Sequence, residues 1–324
     1  MARSKAGQVC AEYCAKFTKT STHTLASKLL REQSSLFTSK EQARSLVRYY
    51  RGEMGKKNRK KVDPEAKTTK HVIVPESDAK PVKPHVLTAT GKGLICGDIH
   101  MPYHDKPVLD LMFNWAIQQE RTDFLILNGD IMDCYRMSRW VKDPRMRDFA
   151  SELEMTQNFL RSLVSVFGAV YYKCGNHEVR YWDYMRLKAP ELVGVEALSF
   201  ERLLELEEIG IRYIAPTQVI HASNLTILHG HEWGRSIFSP VNPARGAFLR
   251  AHACTVSGHL HRGSHHPEPD IRGRVMSCWS HGCLCELHPE YAPLNKWDQS
   301  WLSFDFDGDW FELGLRKAIN GRVA

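Results

Sequence analysis

Five short stretches of the chain put histidine, aspartate or asparagine just where a strand-like run ends: "GDIH" with Asp98 and His100, "NGD" with Asp130, "CGNHE" with Asn176 and His177, "LHGH" with His229 and His231, and "SGHLH" with His259 and His261. Imidazole nitrogens and carboxylate or amide oxygens are the ligands a borderline divalent cation takes. In the last stretch the two histidines are two residues apart, so on extended chain they point to one side and can serve one place. A single His-x-His is weak evidence, and Asp or Asn alone is more often a turn or cap residue. Repetition at five strand ends is what gives the pattern weight.

The elements that must position these residues are legible around them. "GLICGDIH" and "FLILNGDIMD" are apolar runs ending in polar residues, and between them Val108, Leu111, Met112 and Trp115 repeat at helical spacing. Strand, helix, strand is a parallel unit, and loops beyond the carboxyl ends of such strands are where α/β sheets build their sites. A long helix through "ASELEMTQNFLRSLVSVF" leads to a third strand, "AVYYKCGNHE". A mostly helical insertion follows from about Val179 to Gly210. Strands return at "LTILHGHEWG", "ACTVSGHLHRG", "RVMSCWSHG" and "WLSFDFDGDWFEL", the last with period-two alternation and a Gly-Asp turn. The pattern predicts two sheets flanked by helices.

The five motifs in this order resemble the calcineurin-like metallophosphoesterases, over about Gly93 to Trp310. The resemblance implies a four-layer αββα sandwich and two divalent metal ions. It puts Asp98, His100 and His261 with Asp130 on one metal, and Asn176, His229 and His259 with Asp130 on the other. His177 matches the family's catalytic histidine. The physical logic agrees: two cations roughly 3.5 to 4 Å apart lower the pKa of a shared water and clamp phosphoryl oxygens, and a single carboxylate, for which Asp130 is the candidate, bridges them. The mixed donor set suits manganese, iron or zinc better than calcium or magnesium. Tyr103, His104, Arg136, Arg180, His231 and Arg262 stand near the motifs as candidate contacts to the substrate phosphate, whereas His265, His266, His281 and His288 read as surface residues. The segments "GDIMDCYR" and "KCGNHE" lack the paired phosphate-binding arginines of the superfamily's protein phosphatases. The motif forms match its nuclease and phosphodiesterase branches instead.

Composition adds a partner. The chain of 324 residues carries a formal net charge of +7. That charge is local: residues 1 to 61 hold fifteen Lys/Arg against four Asp/Glu, and the remainder has more acidic than basic residues. A basic segment on a mildly acidic body suggests nucleic acid as partner. The segment reads as three short helices. Ser39 and Gln42 make a capping box before Ala43, Leu46, Val47 and Tyr50, and the third helix would expose Arg44, Arg48 and Arg51. Residues 1–55 thus read as a helix-turn-helix-like module or, alternatively, a helical cap on the catalytic body. Residues 56–92 read as a Lys- and Pro-rich linker with short strands at "HVIV" and "HVLTA", and 93–324 as the catalytic domain.

Nine cysteines, an odd number, read as reduced buried thiols, with Cys278, Cys283 and Cys285 structural or, less favoured, a zinc site. No apolar run is long enough to span a membrane and the start lacks a signal-peptide core, so a cytoplasmic protein without membrane contact is expected. The expected function is two-metal hydrolysis of phosphodiesters in nucleic acid. The alternatives are a phosphomonoesterase for phosphoprotein or nucleotide, and a non-catalytic DNA-binding scaffold.

Overall fold

In a computed structural model of the chain, the described residues are 4–54, 74–139, 148–233, 241–289 and 292–324. Two compact units are present, Met1–Ala79 and Lys80–Ala324. The lysine-rich stretch 56–73, with most of "HVIV", lies outside the described residues.

Three helices make the first unit: α1 (Lys5–Lys16), α2 (Thr22–Glu32) and α3 (Lys40–Tyr50). Each begins at a serine whose hydroxyl accepts a backbone N–H three residues on: Ser4 from Gly7, Ser21 from Thr24 and Ser39 from Gln42. Such caps satisfy N–H groups that a helix start leaves without an intrahelical partner. The helices close on a core of Cys10, Leu25, Leu29, Phe37, Ala43 and Val47. Arg44 and Arg48 are exposed on α3. Arg51 departs from expectation. Its guanidinium donates to the Phe17 carbonyl (3.0 Å) and to the Thr22 hydroxyl (3.1 Å), which ties the end of α3 to the α1–α2 turn.

The second unit is a mixed α/β sandwich. One sheet has the strand order β13-β12-β11-β2-β3-β4-β5, built from β2 (Gly91–Cys96), β3 (Phe124–Asn128), β4 (Ala169–Lys173), β5 (Arg212–Ile214), β11 (Ser300–Phe306), β12 (Phe311–Ile319) and β13 (Arg322–Val323). The other runs β1-β6-β7-β8-β10-β9, from β1 (His85–Val86), β6 (Ile220–Ala222), β7 (Leu225–Ile227), β8 (Thr255–Ser257), β9 (Ser264–Pro269) and β10 (Val275–Ser280). In the first sheet β2, β3, β4 and β5 are mutually parallel, and in the second β7, β8 and β10 are.

Alternation along the central strands builds two cores. Phe124 and Ile126 of β3 face a cluster with Ile227, Val256, Leu302 and Phe304, drawn from both sheets. Leu125 and Leu127 face the other way, toward helices α4 (Lys106–Gln118) and α5 (Phe149–Val164). A strand buried on both faces needs an unbroken apolar run, which is why "FLIL" does not alternate. Helix α6 (Asn176–Lys188) leaves β4 and leads into the 3₁₀ and single helical turns that fill the insertion up to Ile209. Helix α7 (Pro243–Ala251) packs Ala244 and Ala247 on Cys278 of β10, outside the second sheet. The layers therefore run helix, sheet, sheet, helix. "HVLTA" contributes β1, which pairs parallel with β6.

Parallel strands deliver their carboxyl ends to one edge of a sheet. Loops after β2, β3 and β4 in one sheet, and after β7 and β8 in the other, carry the five motifs.

Candidate metal centre

At that edge the polar residues gather into two groups. Asp98, His100 and His261 offer ligand atoms within 4.8 Å of one another, and Asp130, His229 and His259 do the same. His261 Nε2 lies 3.2 Å from Asp98 Oδ1 and 3.1 Å from His100 Nε2. His229 Nε2 lies 3.2 Å from Asp130 Oδ2 and 3.2 Å from Asn176 Oδ1. Asp130 Oδ2 is also 3.9 Å from His100 Nε2, so one carboxylate oxygen faces both groups. The two histidines of "SGHLH" belong to different groups.

The donor set fits divalent cations. Two buried imidazole nitrogens pointed at each other, as in His100 and His261, share at most one hydrogen bond, whereas a cation between them satisfies both lone pairs. Asp98, His100, Asp130 and His229 are all at most 1% exposed, and carboxylates buried this deeply are costly unless positive charge stands beside them. Asp98 (φ 51°), His100 (53°), Asp130 (54°), His259 (69°) and His261 (54°) all adopt left-handed backbone conformations, which Asp and His tolerate better than most residues and which cluster at functional sites.

Behind the groups stands a layer of orienting contacts. His229 is turned by the Asn128 carbonyl, 2.7 Å from its Nδ1. Glu232 accepts the His229 and Gly230 N–H groups at 3.2 and 2.7 Å, and is itself held by the buried Lys173 ammonium at 2.8 Å. Gly129 (φ 89°) packs so closely on the His229 ring that a Cβ there would overlap it. His100 Nδ1 meets Asp133 Oδ1 at 3.1 Å, and the same oxygen takes His177 Nδ1 at 2.8 Å. The His177 N–H donates to Asp130 Oδ1 at 2.8 Å. Glu178 is fully buried and accepts the N–H groups of Asp130 (3.1 Å), Ile131 (2.8 Å), Met132 (3.1 Å) and Gly175 (2.7 Å) and the Tyr172 hydroxyl (3.0 Å).

The remaining sequence candidates divide. His231 stays close, its ring 5.3 Å from that of His229. Tyr103 is buried, and its ring lies 6.3 Å from that of Tyr135. Arg180 touches His177. Arg136 and Arg262 are half-buried just beyond Asp133 and His261. His104 instead lines a cavity of about 420 Å³ between α4 and α5, which includes no residue of the two groups. His281 is not a surface residue. It is fully buried, 3.6 Å from Asp98 Oδ2 and 3.1 Å from Asn128 Nδ2, because the β10 end turns inward beside the β8 end. Cys283 and Cys285 lie beside His261 with donor atoms within 4.8 Å, while Cys278 contacts Thr255 on the neighbouring strand. Sequence reasoning does not reach Asp133, Asn128, Glu232 or Lys173. Of these only Asp133, three residues after Asp130 in "GDIMD", carries a signal by spacing.

A family model for calcineurin-like phosphoesterases matches residues 92–273. The chain belongs to that family. Among solved structures, Vps29 proteins are similar to this chain. The Vps29 of Cryptosporidium parvum is 14% identical with a TM-score of 0.40, covering 73% of this chain and 96% of that one. A single mutant of Entamoeba histolytica Vps29 is 13% identical (TM-score 0.37; 72% and 96% covered), as is Chaetomium thermophilum Vps29 (0.38; 72% and 95%). No curated protein matches the chain. The family binds divalent metals, and the two Asp/His groups are residues of this chain that could hold them.

Without cations, protons take part of their role. Burial works to lower the pKa of His229, but Asp130 outweighs it and lifts the imidazole to about 10. Burial likewise opposes, and Asp98 overcomes, a rise of His261 to about 10. His100 goes the other way: burial, helped by His177, pushes it down to about 4. A ligating imidazole must give up its proton, so metal and proton compete at His229 and His261.

Metal loading of the apo protein at pH 7 is therefore expected to release the protons held by His229 and His261, and affinity to rise with pH toward 10. Calorimetric titration with Mn²⁺ in buffers of different ionisation enthalpy counts those protons; release near zero would remove the imidazolium–carboxylate pairs from the account. Glu178→Ala leaves four backbone N–H groups buried without their acceptor, each costing about 1–3 kcal/mol. It should lower the stability of the second unit by several kcal/mol in urea unfolding and abolish tight metal binding.

Proposed function

We propose that this phosphoesterase hydrolyses phosphodiester bonds in nucleic acid, as a nuclease or phosphodiesterase. Two divalent cations, with manganese favoured over iron, zinc or magnesium, would be held by Asp98, His100 and His261 on one side and Asn176, His229 and His259 on the other, sharing Asp130. The observation that carries this reading is Asp130 Oδ2, set 3.2 Å from His229 Nε2 and 3.9 Å from His100 Nε2. A carboxylate oxygen so placed is what two closely spaced cations require. When bound, they supply the positive charge that acidifies water and neutralises phosphoryl oxygens.

The chain's own groups do the rest. His177 is the catalytic residue of the proposal. Its Nδ1 rests on the Asp133 carboxylate, whose pKa is held well below the carboxylate range: burial opposes this, and the hydrogen bonds from His100 and His177 prevail. An imidazole anchored at Nδ1 keeps Nε2 aimed in one direction. In the reaction, the oxygen of water bonds to phosphorus and its proton leaves to solvent. The ester P–O bond opposite breaks, and the departing oxygen takes a proton presented by His177. Asp133 is a positioning residue for both His177 and His100.

Support for a nucleic-acid substrate comes from the first unit, where α3 carries the exposed Arg44 and Arg48 within the basic segment of residues 1 to 61. Cationic side chains on one helix contact phosphates without regard to sequence. Among the described residues no helix is long and apolar enough to cross a membrane.

Mn²⁺-loaded protein is expected to cleave bis-p-nitrophenyl phosphate and labelled single- or double-stranded DNA, and His177→Ala to lose roughly 10² to 10⁴ in kcat with metal content intact. Cleavage of p-nitrophenyl phosphate alone would replace the diesterase reading with the monoesterase one. No turnover in any lane with metal bound would leave a binding protein. In a separate measurement, Arg44→Ala and Arg48→Ala together should reduce the slope of log affinity for duplex DNA against log salt by about 0.9 for each phosphate that the variant no longer neutralises. Hydrolysis of the small diester should be unchanged. An unaltered slope would make the first unit a cap rather than a DNA-binding module.

A further inference from the structure

Among the described residues, Arg180 is a cation in direct contact with the reacting groups of the proposed site. It lies three residues after His177 on α6, so the two side chains share a helix face. Its Nη1 donates to the Asp133 carbonyl at 2.8 Å, and its Nη2 is 2.7 Å from His177 Nε2. The second contact has a plain donor assignment: a guanidinium has only N–H groups to give, so Nε2 accepts and the imidazole proton sits on Nδ1, toward Asp133. From Nε2 it is 3.8 Å to Asp130 Oδ2, the oxygen that faces both metal groups. Arg180 thus stands on the edge of the centre with its side chain 23% exposed; Nη1 also lies 3.7 Å from Asp133 Oδ2, and its two hydrogen bonds leave three of its five N–H donors for a further acceptor.

We propose that Arg180 is the residue that binds a non-bridging oxygen of the substrate's phosphate, taking this part in a site whose sequence lacks the paired arginines of the protein phosphatases. The inference rests on the phosphoesterase reading above. Three features of the contact support it. The imidazole nitrogen is a weak, neutral acceptor for a guanidinium, and a phosphate oxygen, anionic and matched in geometry to the guanidinium fork, is a stronger one. Moving from Nε2 to that oxygen needs only side-chain rotation, because the Nη1 bond to the Asp133 carbonyl can hold the rest of the fork in place. The exchange also frees the Nε2 lone pair, which then takes up a proton from solvent and passes it to the departing oxygen. The Arg180 contact therefore makes His177 available when a phosphate is present and occupies it otherwise. No bond is made or broken covalently in this exchange. The position of Arg180 in the second turn of α6 adds to the anion-attracting end of that helix and does not by itself make the site.

The test uses the full-length, Mn²⁺-loaded protein and inorganic phosphate as probe. Wild type, Arg180→Met and Arg180→Lys are compared by calorimetric phosphate binding, by phosphate inhibition and KM for bis-p-nitrophenyl phosphate, and by metal content. Arg180→Met is expected to weaken phosphate binding and raise KM by about tenfold or more, with metal content unchanged. Arg180→Lys should recover part of the affinity, as a point charge does without the fork. Nitrogen-15 shifts of the His177 ring add a readout that a structural role would not move: in wild type, Nε2 should change on phosphate addition, and in Arg180→Met it should start from the released value. Phosphate affinity equal to wild type in Arg180→Met would overturn the inference, as would failure of the wild type to bind phosphate. Phosphate binding that depends on Arg180 in a protein that hydrolyses none of the esters would sustain the inference and defeat the hydrolytic reading instead.

Discussion

The site hangs on one buried carboxylate. Glu178 takes four backbone N–H groups, three from the loop after β3 and one from the turn after β4, together with a tyrosine hydroxyl. Those two loops supply Asp130, Asp133, Asn176 and His177. The tight turns of both loops point backbone N–H groups inward, and Glu178 accepts them. A lone pair for each N–H is the least that burial of these turns demands, and a carboxylate offers several on two atoms. Glu178 does this from the third position of α6, so the helix that positions His177 is also the one that caps its own start and fixes the loop opposite.

Around that clasp, unlike charges are balanced pair by pair. Asp98, Asp130 and Asp133 are buried close together, an arrangement that ordinary electrostatics disfavours. Each faces imidazoles: Asp98 meets His261, Asp130 meets His229, and Asp133 meets His100 and His177. At His229 and His261 the proton that the neighbouring carboxylate retains places a positive charge beside it. The two sheets are joined across it by contacts such as Asn128 Nδ2 to the Leu228 carbonyl at 3.0 Å and the His259 N–H to Asp98 Oδ2 at 2.9 Å. The metal groups and the sheet-to-sheet contact are thus one construction, and disturbing one should be felt by the other.

Much of this was legible in the chain. The doubly buried run "FLIL", the helical spacing from Val108 to Trp115, the Ser39 cap of the first unit and the strand-end placement of Asp98, His100, Asp130, Asn176, His229, His259 and His261 follow from local rules of periodicity and turn chemistry. What escaped was non-local. His281 looked like a surface histidine because nothing in "WSHG" says that its strand end is packed between Asp98 and Asn128. The buried Lys173 and the half-buried Glu232 pair across fifty-eight intervening residues, a contact that neither composition nor spacing records. Arg51 sat on the expected polar face of its helix, yet the α1–α2 turn offered it a carbonyl and a hydroxyl, and a long flexible side chain takes such acceptors wherever they are in reach.

The stretch "SGHLH" shows where the division falls. Sequence alone determined that two imidazoles stand beside a glycine at the end of an apolar run, with the donor types a borderline cation takes. On extended chain, residues two apart share a side, which would aim both rings at one place. In the folded protein β8 ends at Ser257, and His259 and His261 both turn into left-handed conformations. The alternation rule lapses with the strand, and the rings diverge, His259 toward Asp130 and His229, His261 toward Asp98 and His100. The family resemblance implied this division, but its physical cause lies in the tertiary structure, because a left-handed turn is not encoded by His-Leu-His itself. It is held by the Asp98 carboxylate on the His259 N–H and by the Gly258 N–H on the His229 carbonyl, partners that come from other strands.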